Sequence, residues 1–123
     1  MGCDIHGWVE VKVGDKWVAI RELADCSRNY ERFAALAGVR GEGPTPKGLP
    51  EDVSDTARYD RKMWGGDGHS ASYLSIEEAG QIFVETCYMP DDYQRKHSLS
   101  AFFDTEPEEV NGEDLRLVFW FDN

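Results

Sequence analysis

The chain opens with Gly2-Cys3-Asp4-Ile5-His6-Gly7-Trp8-Val9-Glu10-Val11-Lys12-Val13, and this stretch decides the fold. Its side chains alternate in character, as expected for a β-strand whose two faces meet different surroundings. One face carries the apolar residues Ile5, Val9, Val11 and Val13, and the other carries Asp4, His6, Trp8, Glu10 and Lys12. The first face predicts contact with a hydrophobic core. The second face predicts a polar or functional surface.

Gly14-Asp15 separates this strand from a second β-type run and predicts a two-residue hairpin turn. The implied register pairs Val13 with Lys16, Val11 with Val18, Val9 with Ile20, and His6 with Leu23. Apolar residues then face one another on the core side, so the pattern favours a hairpin that contributes Val18 and Ile20 to the core.

A last strand is predicted at Leu115–Asp122. Leu115, Leu117, Phe119 and Phe121 fall on one face, and Arg116, Val118, Trp120 and Asp122 fall on the other. A strand that is apolar on both faces is expected to be central in its sheet. We therefore expect it to lie beside the N-terminal strand.

Two main helices are predicted. The first runs over 28–37, with Ser27 as its N-cap and Gly38 as its stop. The second begins at Ser75, which has capping-box spacing to Glu78, and is expected to end by Pro90. The stretch from 39 to 73 is rich in Gly and Pro and predicts a long loop, with a short charged helix within 51–62 that starts after Pro50.

These elements predict a single α+β domain over residues 1–123. An antiparallel sheet, made of the N-terminal hairpin and the C-terminal strand, packs on the two helices. The long loop covers the other face of the sheet and carries the site.

The composition limits the classes of function. The chain has 24 acidic and 13 basic residues, a net charge of −11, which argues against direct binding of nucleic acid and suits a basic protein partner or a carboxylate-rich cation site. Three unpatterned cysteines predict a reducing cytoplasm, and no apolar run is long enough to predict a membrane span.

Two Asp-x-His pairs are the strongest chemical signal, namely Asp4/His6 on the first strand and Asp67/His69 in the Gly-rich run at 64–70. Asp122 would join the first pair if its strand is adjacent. Carboxylate and imidazole are ligands for zinc and other divalent metals, so the predicted metal ligands are Asp4, His6, Asp67, His69 and Asp122. The same groups serve acid–base catalysis, which makes His6, His69 and Asp67 the candidate catalytic residues. The alternative is that both histidines are hydrogen-bonded groups that fasten the loop to the sheet.

Three tryptophans are candidates for the walls of a flat ligand pocket. Trp8, Trp64 and Trp120, with Ser70 as a polar contact, would suit a nucleotide-like ligand that stacks between aromatic rings. The alternative is a second hydrophobic core under the loop.

The two ends of the chain, MGCDIH at residues 1–6 and VFWFDN at residues 118–123, resemble those of a family of small hypothetical proteins of bacteriophages and prophages. The segments at 28–40, 48–54 and 67–70 are similar as well. The resemblance implies a phage accessory protein that acts in the bacterial cytoplasm, where countering host defence is a common task. It transfers no catalytic residue.

Two functions remain open from the sequence. In the first, the Asp/His groups bind a divalent metal and act on, or bind, a small phosphorylated or nucleotide-like ligand. In the second, the chain performs no chemistry and is an acidic inhibitor that binds the nucleic-acid-binding face of a host protein complex.

Overall fold

The computed structural model describes residues 2–24, 28–86 and 114–123. In chain order they form β1 (Asp4–Val13), β2 (Lys16–Glu22), α1 (Tyr30–Ala37), α2 (Asp55–Trp64), a short 3-10 helix (Gly65–Asp67), β3 (Gly68–Ser75), α3 (Ile76–Glu85) and β4 (Leu115–Asp122). The strands form one antiparallel sheet in the order β2-β1-β4-β3. The predicted α+β fold is confirmed, and β4 lies beside β1 as expected.

The main core lies between one face of the sheet and helices α1 and α3. Ile5 and Val9 of β1 and the Phe119 and Phe121 side chains of β4 meet Phe33 of α1 and Phe83 of α3, all of them buried. The Phe33 ring lies edge-on to the Phe121 ring, with 5.1 Å between the centroids. This is the face that the alternation in β1 and β4 assigns to the core.

The opposite face of the sheet is covered by α2 and the segment before it. Val53 and Ala57 pack on Val118 of β4, with the half-buried Trp8 and Tyr73 beside them. The Gly/Pro-rich stretch at 39–73 is thus interrupted by a helix and by most of a fourth strand. No helix in the described ranges is long and apolar enough to cross a membrane.

The hairpin differs from the predicted register beyond its first pairs. Val13 pairs with Lys16 and Val11 with Val18 as predicted, but a bulge shifts Val9 onto Arg21 and leaves Ile20 without a partner on β1. The predicted His6–Leu23 pair is therefore wrong, since the Leu23 backbone N–H donates to the Gly7 carbonyl at 2.8 Å.

The hairpin also contributes less to the core than its pattern predicts. Val13, Val18 and Ile20 are 60%, 44% and 52% exposed. The core formed with α1 and α3 contains no residue of the hairpin between Val11 and Ile20. Periodicity does not reveal the bulge that changes the pairing of β2, and it does not say how far across the sheet the helices reach.

Two helices begin later than predicted because their caps lie further along the chain. α1 starts at Tyr30, with the Asn29 side chain accepting a hydrogen bond from the Arg32 backbone N–H at 3.0 Å. α2 starts at Asp55, capped by Ser54, rather than directly after Pro50. The Ser75/Glu78 capping box of α3 is confirmed. Ser27 and Pro90 lie outside the described residues, as do Cys26, Cys87, His97 and the acidic stretch at 91–113.

Gly7 allows β1 and β4 to approach closely. A Cβ at Gly7 would lie 2.5 Å from the Val118 carbonyl oxygen, whereas one at Gly66 would meet nothing within 4 Å. We expect Gly7→Ala to lower the free energy of unfolding by about 1–3 kcal/mol, as overpacking does, because two paired strands must move apart. Gly66→Ala is the control and should leave the urea midpoint nearly unchanged. An unaltered midpoint in Gly7→Ala would contradict the close approach.

Candidate functional site

The first Asp-x-His pair is joined to the end of β4. His6 and Asp122 lie on one face of the sheet because Asp4 pairs with Asp122, and His6 with Trp120, between β1 and β4. The His6 Nε2 is 2.7 Å from the Asp122 Oδ2, with the two side chains 24% and 14% exposed. An ionised carboxylate only accepts hydrogen bonds, so Nε2 is the donor in this contact.

Asp4 is engaged elsewhere. Arg28 donates to both carboxylate oxygens of Asp4, at 2.9 and 3.2 Å. The hydrogen bond from Arg28 holds the pKa of the Asp4 carboxyl below its usual range, and the same contact raises the pKa of Arg28. Cys3 lies next to Asp4 but is fully buried, and burial raises the pKa of its thiol, which makes it a poor nucleophile.

The face of the His6 ring is already covered. The Trp64 indole stacks on it, with the ring centroids 4.1 Å apart and the planes 25° from parallel. Trp64 is the last residue of α2, so this contact attaches the end of the helix to β1. The indole occupies one of the two faces of the imidazole ring on which a planar ligand could stack.

The other two tryptophans predicted to line a pocket, Trp8 and Trp120, lie on the same face of the sheet as His6. The Trp8 indole N–H donates to the Asp60 carboxylate of α2 at 2.9 Å. Trp120 is fully buried, and its indole N–H has no hydrogen-bond partner among the described residues. Trp8 and Trp64 therefore contribute to the contact between the sheet and α2, and Trp120 is buried on the same face of the sheet as His6.

His69 of the second Asp-x-His pair lies on the other face of the sheet. His69 pairs with Phe121 of β4, and the two rings are stacked at 6.2 Å. Phe121 belongs to the core under α1, whereas its neighbour Trp120, the partner of His6, points away from that core. The two histidines are thus separated by the sheet.

The local contacts of the second pair differ from those of the first. The His69 Nδ1 is 2.9 Å from the Ser70 Oγ. Ser70, which was predicted to contact a ligand, therefore contacts the His69 ring. The His69 Nε2 is buried without a hydrogen-bond partner in the part of the chain that the structure describes. Asp67 is exposed in the 3-10 helix.

The five predicted metal ligands are therefore not brought together. Of them, His6 and Asp122 are in direct contact, while Asp4 binds Arg28 and His69 lies behind the sheet. Across residues 2–24, 28–86 and 114–123 no group of three or more His, Cys, Asp or Glu side chains is arranged to hold a metal. The remaining pair is suited to proton transfer by an imidazole that a carboxylate orients.

Comparison with known proteins gives no relative from which a role could be assigned. No family model, no curated protein and no solved structure matches the chain. The roles of its residues therefore rest on their own geometry.

Sequence reasoning missed a buried ionic group on the same face as His6. Glu10 is fully buried and accepts hydrogen bonds from Arg116 at 2.7 Å and from the Ser54 backbone at 2.8 Å. Arg116 also donates to the Asp52 carboxylate at 2.9 Å, which lowers the pKa of that carboxyl. The signal was present, since Glu10 and Arg116 fall on matching faces of adjacent strands and are direct partners in the register.

Beside this group lies a cavity of about 690 Å³. The segment from Lys47 to Asp52 forms one side, and Tyr73 and Arg116 form the other. The Lys47 ammonium lies 4.6 Å from the centre of the Tyr73 ring and donates to the Tyr73 carbonyl at 2.9 Å.

The ion pair of Asp4 gives a pH-dependent prediction. The pKa of Asp4 is lowered in the folded chain, so the pair stabilises the fold above the unfolded-state pKa of about 3.9, and this contribution is lost as the pH falls through the folded-state value. We expect Arg28→Gln to raise the pKa of Asp4 towards its ordinary value. Carboxyl-carbon NMR titration measures this, with Glu77 on α3 as the internal control. An Asp4 titration that does not move in the variant would contradict the pair.

Proposed function

We propose that this chain is a non-enzymatic acidic protein that binds the basic, nucleic-acid-binding face of another protein complex. The observation that carries the proposal is the net charge of −11. Opposite charges on two partners accelerate their encounter and fix their relative orientation. Competition with nucleic acid for a basic face is the function that such a charge serves.

The distribution of exposed charge supports this proposal. α3 carries Glu77, Glu78 and Glu85 on its exposed side, and its ten residues include no basic side chain. A second exposed acidic group, Glu51, Asp52 and Asp55, surrounds the start of α2. The first group is presented by a helix, and the second by a turn and the first residue of α2. An ordered backbone lowers the ordering cost on binding.

The contacts of the histidines also favour binding over catalysis. Each of the two histidines in the described ranges has a local partner, Asp122 for His6 and Ser70 for His69, and the sheet separates the two rings. Such contacts are those expected of side chains that fasten α2 and β3 to the sheet.

The resemblance of the chain ends to phage proteins supports the choice of partner. We propose a host complex of the bacterial cytoplasm that binds nucleic acid, with host-defence complexes as the first candidates. In this setting the chain would take the place of the nucleic acid, so its binding and that of a DNA duplex would exclude each other.

The test is a displacement assay. A dye-labelled DNA duplex is bound to purified host defence complexes, and its release by the chain is followed by anisotropy at increasing salt. We expect release at low salt that weakens steeply as salt is added, and equal release by the His6→Ala and His69→Ala variants. Absence of release from every complex, or release that does not depend on salt, would overturn the proposal.

A second candidate function rests on the 2.7 Å contact between His6 and Asp122. A partly exposed imidazole held by a carboxylate is suited to acid–base chemistry, or to one divalent metal such as zinc, on a small phosphorylated or nucleotide-like ligand. Elemental analysis of the untagged protein and of His6→Ala tests the metal. Near-stoichiometric metal that disappears in the variant would favour this candidate, and the absence of metal from both would remove its metal-dependent form.

A further inference from the structure

The cavity beside Arg116 carries a more specific inference about the partner, which rests on the proposed function. We infer that this cavity receives an arginine or lysine side chain of the bound protein. The Tyr73 ring would take the cationic group on its face, and the exposed carboxylates of Glu51 and Asp52 would neutralise it.

The charges around the cavity favour a cation. Among the lining residues, Glu51 and Asp52 carry negative charges and Lys47 and Arg116 carry positive charges. The fully buried Glu10 behind Arg116 adds a third carboxylate, so the group as a whole has one negative charge in excess. Arg116 is itself nine-tenths buried and held by Glu10 and Asp52, so its charge is already compensated. The side of the cavity that faces solvent is therefore acidic.

Lys47 shows how a basic side chain fits. Its ammonium group lies 4.6 Å from the centre of the Tyr73 ring, within the range of a cation–π contact. The residue is exposed, and its ammonium group contacts this ring and the Tyr73 carbonyl. Lys47 therefore occupies the place that a partner side chain would take, as an intramolecular substitute.

The walls and volume of the cavity suit the whole side chain. Leu49 and Pro50 line it beside the ring and provide apolar contact for the methylene groups of a lysine or arginine. A volume of about 690 Å³ exceeds what one such side chain fills, so neighbouring residues of a basic segment would enter with it. The ligand class is thus a basic peptide segment rather than a free anion or a nucleotide.

The experiment uses the intact chain and a dye-labelled hexa-arginine peptide, with binding followed by anisotropy. Lys47→Ala removes the resident cation, and we expect it to tighten peptide binding by about two- to five-fold, the ratio that corresponds to one exposed cation–π contact. Lys62→Ala on α2 is the matched control, because it changes the net charge equally at an exposed position away from the cavity.

Two further variants locate the binding. Tyr73→Leu keeps an apolar side chain but removes the ring, and it should weaken binding to both wild-type and Lys47→Ala chains. Glu51→Gln at the cavity should weaken binding more than Glu77→Gln on α3, although both remove one charge. Binding that changes equally in each variant and its control would mean attraction by net charge alone, and would overturn the inference.

The two proposals fail in different ways. DNA displacement that is lost altogether removes the proposed function. If displacement persists and is equally strong in wild type, Lys47→Ala and Tyr73→Leu, the proposed function stands. The cavity then has no part in binding the partner.

Discussion

Arg116→Met is expected to destabilise the fold by about 3–5 kcal/mol, the cost of leaving a buried charge without its partner. The residual charge is that of Glu10, which is fully buried and accepts its hydrogen bond from Arg116 at 2.7 Å. Urea unfolding at neutral pH measures the loss. A change smaller than about 1 kcal/mol, the size found for exposed ion pairs, would mean that the pair is solvated.

The control for this prediction is the double variant Glu10→Met/Arg116→Met. Replacing both partners with apolar groups removes the unpaired charge, so we expect the double variant to be more stable than Arg116→Met alone. Some loss should remain, because Glu10 also accepts from the Ser54 backbone N–H at the start of α2. A double variant less stable than the single one would show that the charge of Glu10 is compensated without Arg116.

Phe33→Ala is expected to cost about 3–5 kcal/mol, the range for truncating a large aromatic side chain in a core. Phe33 is fully buried and joins α1 to the sheet through the Phe121 ring at 5.1 Å. The variant leaves a cavity between the two layers, and thermal or urea unfolding would report it.

Two control variants test whether the loss of stability in Phe33→Ala comes from the core. Phe33→Leu keeps most of the apolar volume and should cost clearly less than Phe33→Ala. Tyr59→Ala removes an aromatic side chain that is 65% exposed on α2 and should change the free energy of unfolding by less than about 0.5 kcal/mol. Equal losses in Phe33→Ala and Tyr59→Ala would contradict the position of the core.

Strand β3 shows why part of the fold was not predictable. Its sequence, Gly68-His69-Ser70-Ala71-Ser72-Tyr73-Leu74-Ser75, contains mostly small and polar residues and lacks the β-branched alternation of β1. It becomes a strand because it pairs with β4, a strand that is apolar on both faces. Pairing with a distant strand overrides local preference here, as tertiary context does in sheets generally.

The candidate site was predictable in its residue types and only partly in its arrangement. Alternation correctly places His6 and Asp122 on one face, and the contact between them follows from strand order. It gives no information on His69, whose face depends on the register of β3 against β4. Nor does it predict that Arg28 binds Asp4, because Arg28 follows the hairpin and its position depends on how α1 docks.

The sequence by itself determined the strands and helices that have strong periodicity or caps, and the acidic character of the chain. It also determined which residues of β1 and β4 share a face, because side-chain direction alternates along a single strand. Only the tertiary structure decided which residues from different strands meet. His6 pairs with Trp120, and His69 pairs with Phe121. Because adjacent residues of β4 point to opposite faces, these pairings place the two histidines on opposite sides of the sheet.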